Sequence, residues 1–116
     1  MGVTDHALAV TPLDRTLAAL SDVRRRRAIE LLRERPRRAG DLAAALDLTP
    51  SAMSRHLKIL RSAGLVVESN PETDARVRVY ELRPDPTDEL VAWLEQAREG
   101  WTEQLTELKH HVERDR

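Results

Sequence analysis

Three cap-and-proline pairs, Thr11-Pro12, Thr49-Pro50 and Asp85-Pro86, punctuate the chain and confine it to a succession of helices with known starting points. Thr and Asp side chains accept hydrogen bonds from the unpaired N–H groups at a helix start, and proline at the first helical position sacrifices no bond there. Behind the first pair, Leu13, Leu17 and Leu20 recur at helical spacing. Asp22 caps a second helix over residues 23–35, with Ile29 and Leu32 inward and Pro36 just beyond its end. Residues 40–46 give a short third helix around Leu42, Ala43 and Leu46, and a fourth runs over 50–63 until Gly64 stops it. A fifth spans 86–114.

Between the fourth and fifth helices the pattern changes. "LVVESN" and "ARVRVYEL" are β-branched, partly alternating runs separated by "PETD", which predicts a β-hairpin. Arg76, Arg78 and Tyr80 alternate with Val77 and Val79, so one strand face is expected to carry cations. The expected fold is mainly α, with five helices and a small hairpin inserted before the last. Residues 1–116 form one domain, without repeat or linker. Aromatic residues make up only 3%, so the core must be aliphatic.

The chain has no cysteine, which excludes disulfides, thiolate metal sites and cysteine nucleophiles. It contains no glycine-rich phosphate loop and no serine–histidine–aspartate arrangement beyond chance, so an enzyme is not expected. No apolar run approaches the ~20 residues needed to span a bilayer, and no signal-peptide pattern begins the chain. A soluble, cytoplasmic protein is expected, with no membrane partner.

In the fourth helix, Met53, Leu57 and Leu60 share one face, while Ser51, Ser54, Arg55 and Lys58 share the other. Packing does not require such a hydroxyl-and-cation face. The short helix before it, joined by "DLT", makes helix-turn-helix spacing, in which the second helix enters the DNA major groove. Short hydroxyls and a forked cation are what base edges bind, and arginine can grip guanine at two acceptors. The hairpin can then lie along the neighbouring backbone, with Arg76 and Arg78 near phosphates. Charge agrees with this. The formal net charge is −1, but residues 24–61 hold eleven basic against four acidic side chains, and residues 62–116 seven against thirteen. A polyanion suits the first region and a different partner the second. The competing reading is a dimeric winged-helix interaction module that does not bind DNA specifically.

"LSDVRRRRAIELL", "AGDLAAALDLTPSAMSRHLKILRSAGLV" and "RVRVYEL" together resemble the ArsR-type (arsenic-repressor-like) winged helix-turn-helix regulators of bacteria. The likeness covers residues 20–82. It implies a homodimeric transcriptional regulator, usually a repressor, that binds a palindromic operator in double-stranded DNA and releases it when an effector binds. By position it assigns Pro50, Ser51, Ser54, Arg55 and Lys58 to the DNA side of the recognition helix, and Arg76 and Arg78 to the wing. His56 fills the family's histidine position, where it could touch phosphate or pack against neighbours. Glu72 and Asp74 at the wing tip would repel phosphate. Of Arg24 to Arg27, Arg25 matches an arginine that serves structure in the family.

Many relatives sense metals, but Arg38 and Gly40 stand here in place of cysteines. A second metal site of the family is half present: His110 and Glu113 match, while Ala97 and Glu99 replace its other two ligands. Four good ligands are what zinc prefers, so no metal or cofactor is expected. The remaining options for control are a small-molecule effector, partner proteins, or no inducer.

The last helix would be ~43 Å long at 1.5 Å per residue, and Leu90, Leu94, Ala97, Trp101, Leu105, Leu108 and Val112 form one stripe along it. Part of such a stripe can cover the core of its own chain, and the rest would face water unless the whole stripe packs within one chain. A second copy can cover that remainder, so residues 86–114 are expected to form the dimer interface. Residues 11–20 are expected to join them through Leu13 and Leu17. Trp101, near mid-stripe, should be better buried than Trp93 to one side.

Overall fold

The computed structural model describes residues 9–69 and 77–114. Among them lie five helices and three short strands: α1 (Pro12–Leu20), α2 (Val23–Glu34), β1 (Arg37–Arg38), α3 (Ala39–Ala45), α4 (Pro50–Ser62), β2 (Val66–Ser69), β3 (Val79–Leu82) and α5 (Asp85–Arg114). The expected winged helix-turn-helix order is present. No helix among the described residues is long and apolar enough to cross a membrane.

Local chemistry sets most of the helix ends. The Thr11 hydroxyl accepts from the Asp14 amide at 3.2 Å, and the Asp14 carboxylate accepts from the Thr11 amide at 2.8 Å. This reciprocal box holds the Asp14 carboxyl below the usual carboxylate range. Asp22 caps α2 by accepting from the Arg24 amide at 2.7 Å, and that bond is the main cause of its own lowered carboxyl. Thr49 caps α4 through the Ala52 amide at 3.1 Å.

The two helices of the helix-turn-helix end by the same device. After α3, the amides of Asp47 and Leu48 bond back to the carbonyls of Ala44 and Ala43. After α4, the amides of Gly64 and Leu65 bond back to Arg61 and Leu60. Each is a six-to-one and five-to-two closure that needs one residue in the left-handed region. Asp47 takes it at φ 55° and Gly64 at φ 77°.

The core gathers where α2, α3, α4 and the sheet meet. Leu42, Met53, Leu57, Leu60 and Leu65 are all at or below 1% exposure. On α2 the deepest residue is Ala28, with Leu32 beside it and Ile29 only half-buried. The expectation that Ile29 and Leu32 share the inward face is therefore half right. The smaller alanine lets α2 approach the core closely.

The expected hairpin is present as β2 and β3, and a third strand joins it: the order is β1-β3-β2, with both pairings antiparallel. Two residues after a proline show no periodicity, so only pairing with Tyr80 and Val79 reveals β1. Pairing on both sides also makes β3 central, and Tyr80 on it is buried at 7% exposure while Arg78, on the same face, is exposed. Arg76, Glu72 and Asp74 lie outside the described residues.

α5 contributes no buried residue. It packs along α1 and runs past the body, giving a radius of gyration of 20.0 Å and a long dimension of 72 Å, against the ~13 Å radius of a compact domain this size. Within one chain Trp101 is 63% and Trp93 48% exposed, while the expected order concerns burial in a dimer.

Gly64→Ala is expected to cost about 1–2 kcal/mol, because a Cβ is unfavourable in the left-handed region and would sit 3.4 Å from Pro86 Cγ. Asp47→Gly, at the equivalent turn, is expected to be neutral or stabilising. Urea denaturation midpoints of the two variants should therefore move in different ways, and an equal loss would contradict the shared geometry.

Candidate nucleic-acid interface

The buried stripe of α4 leaves its other side open. Pro50, Ser51, Ser54, Arg55 and Lys58 are all exposed, as their helical spacing anticipates. α3 lies behind, held at a fixed angle by the closed turn through Asp47.

His56 stands at the boundary, half-buried. Its Nδ1 lies 3.1 Å from Arg25 Nη1. A guanidinium has no lone pair to offer, so Arg25 donates and Nδ1 accepts, which places the proton of the neutral ring on Nε2. Nε2 is the nitrogen left for any phosphate. Arg25 also donates from Nε to the Ala19 carbonyl at 2.7 Å and from Nη2 to the Ala18 carbonyl at 3.2 Å. One side chain thus closes the end of α1 and fastens it to α4.

The run of four arginines divides accordingly. Arg26 donates to the Leu20 carbonyl at 2.7 Å, adding to the same helix end. Arg27 faces Glu30 at 4.0 Å on the outer surface of α2. Arg24 is exposed. Four consecutive helical residues cannot face one partner, and three of these, Arg25, Arg26 and Arg27, are engaged within the chain.

At the far end of α4 the hairpin approaches. Arg78 is exposed, with Nε 3.4 Å from Glu68 Oε1, and the other oxygen of Glu68 accepts from Arg61 Nη1 at 2.6 Å. Ser54, Lys58, Arg61, Ser62, Arg78 and Tyr80 line a cleft there. Burial pushes the Tyr80 phenol above its ordinary value, and the charge of Glu68 adds to the effect. Arg61 and Glu68 had not been singled out from the sequence. Arg61 was legible, lying seven residues after Ser54 and three after Lys58. Glu68 was not, since only strand register sets it opposite Tyr80.

His110 and Glu113 sit exposed near the end of α5. Among the described residues no three His, Asp or Glu side chains come together in a group able to hold a metal ion.

Comparison with known proteins follows this geometry. Residues 22–68 match the family model described as bacterial regulatory protein, arsR family. The chain is 40% identical over 93 residues to the HTH-type transcriptional regulator Rv2034 of Mycobacterium tuberculosis, covering 80% of this chain and 81% of that one. It superposes on an ArsR-like transcriptional regulator from Rhodococcus sp. RHA1 with a TM-score of 0.78 and 26% identity, over 97% of both chains. A homodimeric winged helix-turn-helix DNA-binding domain from Mycobacterium bovis shares the fold, with a TM-score of 0.59 at 22% identity over 80% of this chain and 83% of that one.

Arg25→Ala strips three acceptors of one charged donor and is expected to cost about 1–3 kcal/mol in urea denaturation. Arg25→Lys should recover only part of that, because a single ammonium cannot span three acceptors. Full recovery by lysine would show that charge alone matters there.

Proposed function

Because the chain belongs to the arsR family of bacterial regulatory proteins, we propose that it represses transcription as a homodimer on a palindromic operator, with α4 in the major groove and the hairpin on the backbone. The winged helix-turn-helix is the family's DNA-binding fold, and the relatives are transcriptional regulators rather than enzymes. The observation that carries the finer reading is the open face of α4. Ser51, Ser54, Arg55 and Lys58 are exposed on one side of a helix whose other side is the core. Arg55 suits base readout, Ser51 and Ser54 suit base edges or phosphates, and Arg78 suits phosphate. Pro50 sets the start of the helix at the groove, and His56 offers Nε2 at its edge. Arg76 would extend the cationic wing.

Support for the dimer comes from α5. Leu94, Trp101, Leu105 and Leu108 are each about half exposed or more, and soluble domains rarely leave so long an apolar stripe open. Leu90 and Ala97 continue it, and Leu13 and Leu17 lie on α1, which packs alongside. The homodimeric state of the Mycobacterium bovis domain supports the same solution here. A two-fold axis would set two recognition helices about 34–36 Å apart, one turn of DNA. The site of action would be the cytoplasm.

Two measurements test the proposal. A duplex selected from a random-sequence pool by the wild-type protein should lose about 1–3 kcal/mol of affinity with Arg55→Ala, while a scrambled duplex loses little. Equal weakening of both would remove Arg55 from base readout. Trp101→Glu places a charge in the proposed interface, so sedimentation should show a monomer that binds the selected duplex weakly. A variant that stays dimeric and binds normally would put the contact elsewhere. A wild-type protein with no salt-dependent duplex binding would favour the dimeric interaction module.

A further inference from the structure

Glu68 holds two cations at the junction of α4 and the hairpin, and it uses its two oxygens separately. Oε2 accepts from Arg61 Nη1 at 2.6 Å, and Oε1 lies 3.4 Å from Arg78 Nε. Arg61 belongs to the last turn of α4 and Arg78 directly precedes β3. One carboxylate thereby ties the helix end to both strands of the hairpin. Each guanidinium carries five N–H donors, so each keeps donors beyond those facing Glu68.

Stability alone does not account for the arrangement. The arginine side chains are 58% and 64% exposed, and pairs so open to water contribute little to folding. They also stand beside Lys58, so three like charges share one cleft whose walls include the hydroxyl-bearing Ser54, Ser62 and Tyr80. Cations, hydroxyls and an open mouth make an anion seat. Counting Glu68, its formal charge is +2, enough to attract a singly charged phosphodiester without bringing three bare cations together. At 100° per residue, Ser54, Lys58 and Arg61 fall within about 60° of arc on α4, beside the Ser51–Arg55 edge. The helix thus has adjoining edges, one suited to bases and one facing the hairpin.

We propose that this cleft seats one phosphodiester of the bound duplex, with Lys58, Arg61 and Arg78 supplying the charge and Glu68 acting as the positioning residue for both guanidinium groups. The inference rests on the regulator reading above and adds Arg61 and Glu68 to its contact set. Glu68 is an anion at a DNA-facing surface, so two models differ in sign. A carboxylate that only repels phosphate weakens binding, and its removal should tighten it. A carboxylate that holds two arginines in place strengthens binding, and its removal should weaken it.

Fluorescence anisotropy on the selected and scrambled duplexes, across a salt series, separates them. Arg61→Ala and Arg61→Gln should each lower the slope of log affinity against log salt by about one on both duplexes, as loss of one phosphate contact does. Glu68→Ala should weaken binding to both several-fold despite making the protein one charge more positive, and circular dichroism melts should confirm that each variant is folded. Unchanged or tighter binding by Glu68→Ala overturns the positioning role, and an unchanged slope in both Arg61 variants overturns the seat. Either result, with wild-type protein that still binds duplex, leaves the regulator reading intact. Failure of the wild type to bind duplex overturns the regulator reading itself and this proposal with it.

Discussion

Burial of one side of α4 is the constraint on which the other features hang. Met53, Leu57 and Leu60 are each at or below 1% exposure, packed with Leu42 and Leu65. Fully burying a side chain of this kind stabilises by roughly 1.5–3 kcal/mol, so three on one short helix hold it in place without help from its outer face. That face carries Ser51, Ser54, Arg55 and Lys58 with no structural duty in the core. The closed turns at Asp47 and Gly64 then fix where the helix begins and where the chain departs for the hairpin.

Three arginines of the basic middle region serve helix ends. Arg25 and Arg26 donate to the last carbonyls of α1, and Arg37 donates to the Leu31 carbonyl near the end of α2 at 3.0 Å. Helix carbonyls left unpaired at a C-terminus need such donors, and long arginines can supply them from another element. The surplus of positive charge between residues 24 and 61 therefore overstates the charge available to a polyanion. The part that faces outward together is smaller and lies on α4 and its junction with the hairpin. Arg25 also makes His56 part of the seam between α1 and α4, so movement of α1 would be felt at the recognition helix.

α5 follows a different logic. At thirty residues with none buried, it exceeds what the body of one chain can cover, and its stripe stays open along most of its length. A repeating apolar face on a helix longer than its own domain has a ready partner in the same helix of another chain, because two-fold symmetry matches the stripe to itself.

The capped starts of α1, α2 and α4, the stop at Gly64, the inward stripe of α4 and the identity of its outward residues were readable from the amino-acid order, whereas α3 and α5 each begin one residue earlier than expected. Each readable feature depends on neighbours within about four residues, the range over which capping and helical periodicity act. The same locality explains the legibility of Arg61, which shares its face with Ser54 and Lys58. Contacts between distant residues were decided only by the tertiary structure. Arg25 meets His56 across 31 positions, β1 exists only through pairing with β3, and Tyr80 is buried because that strand has neighbours on both sides. Glu68 reaches two arginines because strand register and the exit angle of α4 bring them together. Such placements depend on how whole elements pack, and the pattern along a single strand or helix carries no record of that.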